Sequence, residues 1–321
     1  MFDYSETVRK EPVRDSFEQV IRQLPEEVHR EIMQISKVKR MELLEVRLRV
    51  GQNPAYRIFQ PQTASERTVH GRKRCSKKEI DDCINKFINY SYYAYDDEIR
   101  NGYITLPGGH RVGICGQVAA ENGKTRTLKS ISSVNIRRAK EYRGIADSLI
   151  EKLISPVGEI TSTLLVSPPR CGKTTLLRDL VRALSQKGYV TGVCDERSEI
   201  AGMSGGVPAF DLGENTDILD ACPKAEGMIM LLRSMAPDVI VTDEIGREED
   251  ADAIRRILLS GTSVIATIHG NSLSGLSESR IEPLLGSCGF RRLVFLCRRP
   301  SVGSIDRNLL WDSKSGGWSD D

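Results

Sequence analysis

Two hydrophobic periods run along this chain, and the change between them divides it. Residues 16–37 carry helical spacing in two pieces on either side of Pro25: Phe17, Val20, Ile21 and Leu24, then Val28, Ile32, Met33 and Ile35. From Leu44 the pattern becomes strict alternation through Val50, which predicts a strand with one buried and one solvated face. Arg47 and Arg49 therefore project together from the open side. A second strand-like run follows Gly51 at residues 55–59, and a helix is predicted over 77–89 with Ser76 as its N-cap. Residues 103–106 and 111–118, joined through Pro107-Gly108-Gly109, read as a β-hairpin. A last strand at 132–136 ends in Arg137 and Arg138. The four tyrosines at 90, 92, 93 and 95 read as core packing at a helix end, with a stacking platform for bases as the alternative.

Beyond residue 160 continuous apolar runs alternate with helical spacing. Strands are predicted at 163–166, 189–194, 239–242 and 264–267, and helices at 173–186, 227–235, 249–259 and 274–284. That order specifies an α/β sheet with crossover helices, whose chemistry should gather at the C-terminal ends of the strands. Tyr142-Arg143-Gly144, a short helix and the turn Ser155-Pro156-Val157-Gly158 form the expected link, so the chain is read as an α+β domain over 1–144 and an α/β domain over 145–321. Residues 201–227, rich in Gly and Pro, are predicted as a long loop without its own secondary structure, suited to closing over a ligand or touching a partner. The tail beyond Pro300 is expected to hold one short strand-like segment at 309–311 before a loose polar end.

Composition narrows the function classes. A length of 321 residues fits two domains, and a formal net charge of +2 gives no basic excess of the kind that binds nucleic acid. Apolar runs fall far short of the ~20 residues a membrane span needs, and the charged N-terminus has no apolar signal core, so a cytoplasmic protein is expected. Eight cysteines occur without a Cys-x-x-Cys pair, which suggests reduced residues rather than a zinc site or disulfide framework.

The candidate chemistry begins at LLVSPPRCGKTTLLR, residues 164–178. A buried strand, a tight loop and a helix opening on Gly-Lys-Thr make a phosphate loop, in which backbone N–H groups and the helix N-terminus hold a triphosphate. The nucleotide-binding candidates are Ser167, Pro168, Pro169, Arg170, Cys171, Gly172, Lys173, Thr174 and Thr175. Lys173 would reach the outer phosphates and the Thr174 hydroxyl would ligate Mg2+. Ser167 stands where the pattern has its first glycine, and an ordinary strand-to-helix connection is the alternative reading. About 70 residues further on, Val239-Ile240-Val241-Thr242 ends in Asp243 and Glu244, the Walker B arrangement. Asp243 can hold Mg2+ through water while Glu244 orients or deprotonates the attacking water. Glu196, in Cys194-Asp195-Glu196-Arg197, and His269, at the end of Ala266-Thr267-Ile268, close the constellation; a charged loop and a structural histidine are the plainer readings. Oligomeric ATPases need a guanidinium from outside the site, for which Arg47, Arg49, Arg111, Arg137 and Arg138 are candidates if they are more than solvated strand faces.

Taken with EVRLRVG, DDEIRNGYITLPGGHRVGICG, SISSVNIRRA, DERSEIAG and ATIHG, these motifs resemble the stage III sporulation protein AA family, ATPases of endospore-forming bacteria related to the type II and type IV secretion ATPases. The likeness runs from about residue 24 to 294. It implies a RecA-like P-loop NTPase domain of the α/β class preceded by a smaller α+β N-terminal domain. It also implies ATP and Mg2+ as ligands, and catalytic roles for Glu196, Glu244 and His269. Arginines supplied by the N-terminal domain map onto Arg47, Arg49, Arg111 and Arg137. A homo-oligomeric ring, expected as a hexamer, would work with membrane-embedded sporulation channel proteins from the mother-cell cytoplasm, associated peripherally with the membrane and without nucleic acid. Asp243 replaces the glycine of the wider family's Walker B site, which leaves the base open between Glu196 and Glu244.

Overall fold

The computed structural model describes residues 16–60, 65–121, 124–169, 171–203, 205–277, 279, 281–286, 289–297 and 303–321. Two compact units divide between Ala139 and Lys140, ahead of the expected boundary at residue 144. The reason lies in the second unit, where the Lys140 carbonyl accepts a hydrogen bond from the Arg178 guanidinium at 3.0 Å.

Within the first unit the helices are α1 (Ser16–Gln23), α2 (Glu26–Met33), α3 (Lys37–Met41), α4 (Lys77–Phe87) and α5 (Asp96–Arg100). Its strands are β1 (Leu43–Arg49), β2 (Ala55–Gln60), β3 (Ser65–His70), β4 (Tyr103–Leu106), β5 (His110–Glu121) and β6 (Lys124–Arg137). They form an antiparallel sheet in the order β3-β2-β1-β6-β5-β4. Phe17, Val20 and Ile21 of α1, Ile80, Ile84 and Phe87 of α4, and Val46 and Leu48 of β1 share one core. A bulge between Leu43 and Glu45 brings Leu43 into that core in place of Leu44, which the alternation alone would have buried. The predicted N-cap is present: Ser76 Oγ accepts from the Glu79 amide at 3.2 Å while the Glu79 carboxylate accepts from the Ser76 amide at 2.7 Å.

The tyrosines depart from expectation. Tyr90, Tyr92 and Tyr93 are 72%, 52% and 96% exposed, and only Tyr95 packs partly against the core. Asn89 and Tyr90 take left-handed backbone (φ +49° and +59°), which breaks the chain away from α4 and turns the run outward.

The second unit alternates as predicted and adds strands. Its helices are α6 (Asp147–Leu153), α7 (Lys173–Gln186), α8 (Lys224–Met235), α9 (Glu248–Leu259) and α10 (Leu273–Ser277). The strands β7 (Thr163–Ser167), β8 (Thr191–Asp195), β9 (Thr216–Asp220), β10 (Val239–Thr242), β11 (Ser263–His269) and β12 (Arg292–Cys297) pair in parallel in the order β12-β7-β11-β10-β8-β9. Successive residues serve opposite faces. Leu165, Val193, Val241 and Ile265 join α6 and α7 in one core, whereas Leu164, Val166, Ile240 and Val264 join α8 and α9 in another. Two expectations are corrected here. The segment 201–227 contains β9 and the start of α8, because Thr216–Asp220 adds to the edge of β8. The tail is an antiparallel hairpin, β13 (Ser304–Asp312) and β14 (Gly317–Asp320), that extends the sheet from β12, with Trp311 and Trp318 meeting edge to face at 5.3 Å.

Candidate active site

Parallel pairing aligns four strand tips in the order β7, β11, β10, β8. Ser167 is in register with His269, and Thr242 with both Ala266 and Cys194. The residue or two beyond each tip must then converge. Between β7 and α7 the chain turns at Gly172, whose φ of +88° is left-handed and open to glycine without strain. Ser167, by contrast, is the last residue of a strand, has no positive φ and is 1% exposed. Its side chain supports the loop, donating to the Pro168 carbonyl at 2.9 Å and accepting from Lys173 Nζ at 3.2 Å.

A cleft of about 380 Å³ opens over this loop, lined by Gly172, Lys173, Thr174, Thr175, Glu199, Asp243, Glu244, Thr267 and His269, with Pro169 at its rim. Cys171 is buried in the loop, and Arg170 lies outside the described residues. Lys173 Nζ donates to the Ser167 carbonyl (2.8 Å) and the Pro168 carbonyl (3.2 Å), and lies 3.0 Å from His269 Nδ1. Burial holds its pKa below the ordinary lysine value. Since an ammonium only donates, His269 Nδ1 accepts, and Nε2 carries the proton directed at Glu244 Oε1, 3.0 Å away. The other Glu244 oxygen lies 3.3 Å from Arg197. One chain of contacts thus links Lys173, His269, Glu244 and Arg197.

Glu244 also takes a left-handed backbone, φ +25°, rare for a side chain of its kind. Its peptide is held at both ends: the N–H donates to Thr267 Oγ1 at 2.8 Å, and the carbonyl accepts from Lys224 Nζ at 3.0 Å. Glu196 borders a neighbouring depression that shares Glu244 and His269 with the cleft, and pairs with Lys224 (3.6 Å) and Arg247 (3.5 Å).

Asp195 points the other way. Fully buried, it accepts from the amides of Glu199, Ile200 and Ala201 at 2.8–2.9 Å and so folds the loop that brings Glu199 to the cleft. Burial pushes its pKa up to about 6, opposed by the Ala201 hydrogen bond and reinforced by the charge of Asp243. Arg178 clamps the same loop, donating to the Ile200 and Glu199 carbonyls and stacking 3.4 Å over the Phe210 ring.

The cleft can accommodate a metal-bound anion. Asp243 Oδ1 is buried with no hydrogen-bond partner and only an ion-pair contact to Lys224, and Thr174 lines the same space. Among the described residues no group of three or more His, Cys, Asp and Glu side chains comes together to hold a metal unaided. A hard cation sharing its shell between one carboxylate, one hydroxyl, water and phosphate oxygens suits that donor set.

The arginines expected to act from outside belong to the first unit. Glu45 is in register with Arg57 on β2 and Arg137 on β6, and Arg137 with Arg111 on β5, so they form one row across four strands. Arg47 pairs with Glu45 at 2.9 Å, Arg137 approaches it at 3.9 Å, Arg111 lies 3.9 Å over the Tyr103 ring, and Arg49 is exposed at the end of β1. Arg138 has a structural task, donating to the Arg40 and Met41 carbonyls.

Lys224 and Thr267 escaped the sequence reading, whereas Glu199 falls within the acidic segment Cys194-Asp195-Glu196-Arg197-Ser198-Glu199 that it marked. For Lys224 a signal existed: a cation in the first helical turn after Pro223 opposes the helix dipole, which asks for a compensating reason.

The family described as sporulation stage III, protein AA is matched over residues 14–314. Stage III sporulation protein AA of Bacillus subtilis (strain 168) is 40% identical over 291 residues, spanning 88% of this chain and 92% of that protein. Among solved structures, the Legionella pneumophila ATPase DotB superposes with a TM-score of 0.57 at 15% identity, covering 95% of this chain and 83% of that one. The pilus retraction motor PilT with bound ADP gives 0.56 at 14% identity, over 89% and 83%. At these identities the likeness is one of fold, the RecA-like P-loop α/β fold of secretion ATPases.

Proposed function

The chain belongs to the stage III sporulation protein AA family, and from that we propose that it is an ATPase motor whose hydrolysis energises assembly of, or transport through, a channel between mother cell and forespore. The observation that supports this most is the convergence of Lys173, Thr174, Asp243, Glu244 and His269 on one cleft over a phosphate loop.

In this reading the loop amides and Lys173 bind the outer phosphates of ATP, which draws Lys173 Nζ away from the Ser167 and Pro168 carbonyls. Thr174 and Asp243 would hold Mg2+, which when bound would neutralise phosphate charge. Glu244 is the base: it takes a proton from water as the water oxygen bonds to the γ-phosphorus, the bond to the bridging oxygen breaks, and ADP leaves. His269 holds Glu244 through Nε2, and the Lys173 contact to Nδ1 lets it register whether phosphate is present. Glu196 assists from the adjoining depression. Arg47, Arg49, Arg111 and Arg137 serve the nucleotide of a neighbouring copy in a homohexameric ring, which partners with membrane-embedded channel proteins and associates peripherally with the membrane.

Phosphate release by the purified chain, with light scattering in the presence and absence of ATP-Mg, tests the proposal. ATP-dependent assembly with turnover supports it; absence of nucleotide binding at millimolar ATP overturns it. Exposed Tyr90, Tyr92 and Tyr93 favour one rival, a nucleic-acid-dependent translocase, which would show stimulation by single strands that is lost steeply as salt rises.

A further inference from the structure

Lys224 does not line the nucleotide cleft, yet it touches three parts of the machinery around it. Only 4% exposed, its ammonium lies 3.2 Å from Asp243 Oδ1, 3.6 Å from Glu196 Oε2 and 3.0 Å from the Glu244 carbonyl oxygen. Those atoms come from the tips of β8 and β10, whose ends are otherwise tied by the Thr242 hydroxyl donating to the Cys194 carbonyl at 3.0 Å. Asp195, Glu196, Asp243 and Glu244 crowd the same region. Close carboxylates repel, and a buried ammonium is costly unless paired, so the cluster and the lysine each need the other.

We infer that Lys224 is a positioning residue: a built-in counter-ion that sets Asp243 and Glu196 at the two strand tips and, with Thr267, fixes the left-handed peptide that aims Glu244 at water. This rests on the ATPase reading of the cleft. Lys224 lines the adjoining depression and not the nucleotide cleft, so its removal should spare binding of the nucleotide itself and slow turnover. Displacing a reacting group by about 1 Å can cost about 100-fold.

The test uses the full chain with K224M, which keeps length and apolar stem, and K224Q, which keeps a donor without the charge and is read by the same criteria should K224M not fold. Expected are ADP affinity without divalent metal within about threefold of wild type, and kcat lower by about 100-fold. Wild-type kcat in both variants, or loss of ADP affinity in step with kcat, overturns the assignment.

A second measurement does not depend on turnover. With its internal cation gone, the carboxylate pair should take up Mn2+ without nucleotide at least about tenfold more tightly than wild type, read by loss of the free-ion electron paramagnetic resonance signal. Equal Mn2+ uptake by wild type and variant overturns the role of Lys224. If wild type releases no phosphate but the Mn2+ difference appears, the ATPase reading fails and the counter-ion stands.

Discussion

Both units gather charge, and they do so by opposite means. On the first sheet antiparallel register sets Arg57, Glu45, Arg137 and Arg111 in a row on a face away from the core, with Arg47 and Arg49 beside them. In the second unit parallel register brings buried groups together at strand tips, where Asp195 is fully buried and Asp243 and Lys224 are each 4% exposed. The row is only partly solvated: Glu45 keeps 12% of its side chain exposed beside guanidiniums that are 30–56% exposed, so its ion pairs lie between solvent-screened surface pairs and buried ones. Buried groups gain strength from low dielectric but each must be satisfied. The comparison teaches a difference in how charge is held: the second unit fixes buried groups at strand tips, and the first lines up partly solvated groups across one face of a sheet.

The sharpest way to break that comparison is at the loop. Lys173→Ala removes a fixed cation from the phosphate subsite and should weaken ADP and ATP binding by about 1,000-fold and abolish phosphate release, checked by calorimetry and a coupled phosphate assay. Binding within tenfold of wild type would mean that the cleft is not a phosphate site. Next comes Glu244→Gln, expected to retain nucleotide while lowering kcat by about 100-fold or more. Glu196→Gln should fall by about tenfold, since Glu196 borders the adjoining depression rather than the cleft. The reverse order of the two variants would move the base to Glu196.

Asp195 sharpens the buried side in units of stability. Its carboxyl pKa is pushed up to about 6 in the fold against an ordinary value near 3.8. The folded chain therefore holds this proton more tightly than the unfolded chain between about pH 4 and 6. Stability from this group is highest below pH 4, falls as pH rises through that window and is level above it, a difference of at most about 3 kcal/mol. Asp195→Asn lacks the proton. Unfolding free energies of wild type minus variant, followed by urea titration from pH 4 to 7, should decline by up to that amount; a flat difference would show that Asp195 titrates normally.

Much of this division was legible before the structure. Apolar runs marked β7, β10 and β11, the Gly-Lys-Thr spacing marked the loop, and alternation along β1 put Arg47 and Arg49 on one side. What stayed hidden depends on pairing between distant segments. β3 is exposed along its whole length and is a strand because it adds to the edge of β2. β9 is half-buried and exists by pairing with β8, and the tail hairpin by pairing with β12. Leu293-Val294-Phe295-Leu296 had the apolar run of a buried strand, yet the arginines on either side masked it. Lys224 was hidden for a related reason: its acidic partners are remote in sequence, and only strand order brings them within reach.

The smallest effects are expected at Arg49, exposed at the end of β1. Arg49→Ala removes an exposed guanidinium and should leave folding stability within about 0.5 kcal/mol of wild type, read as an unchanged melting curve. Several guanidiniums on one face would share any work done on an outside anion, so a single removal should slow hydrolysis by only about tenfold. If that work is done on a neighbouring copy, Arg49→Ala and Lys173→Ala are damaged in different ways. One keeps an intact cleft without its outside cation, and the other keeps the cation with a dead cleft. Mixed in equal amounts, they should form some interfaces in which an intact cleft meets an intact arginine. Phosphate release by the mixture should then exceed the mean of the two alone. Release at the simple mean would confine the arginine to its own chain, and a melting temperature lowered by several degrees would make the row part of the fold rather than a surface held ready for a partner.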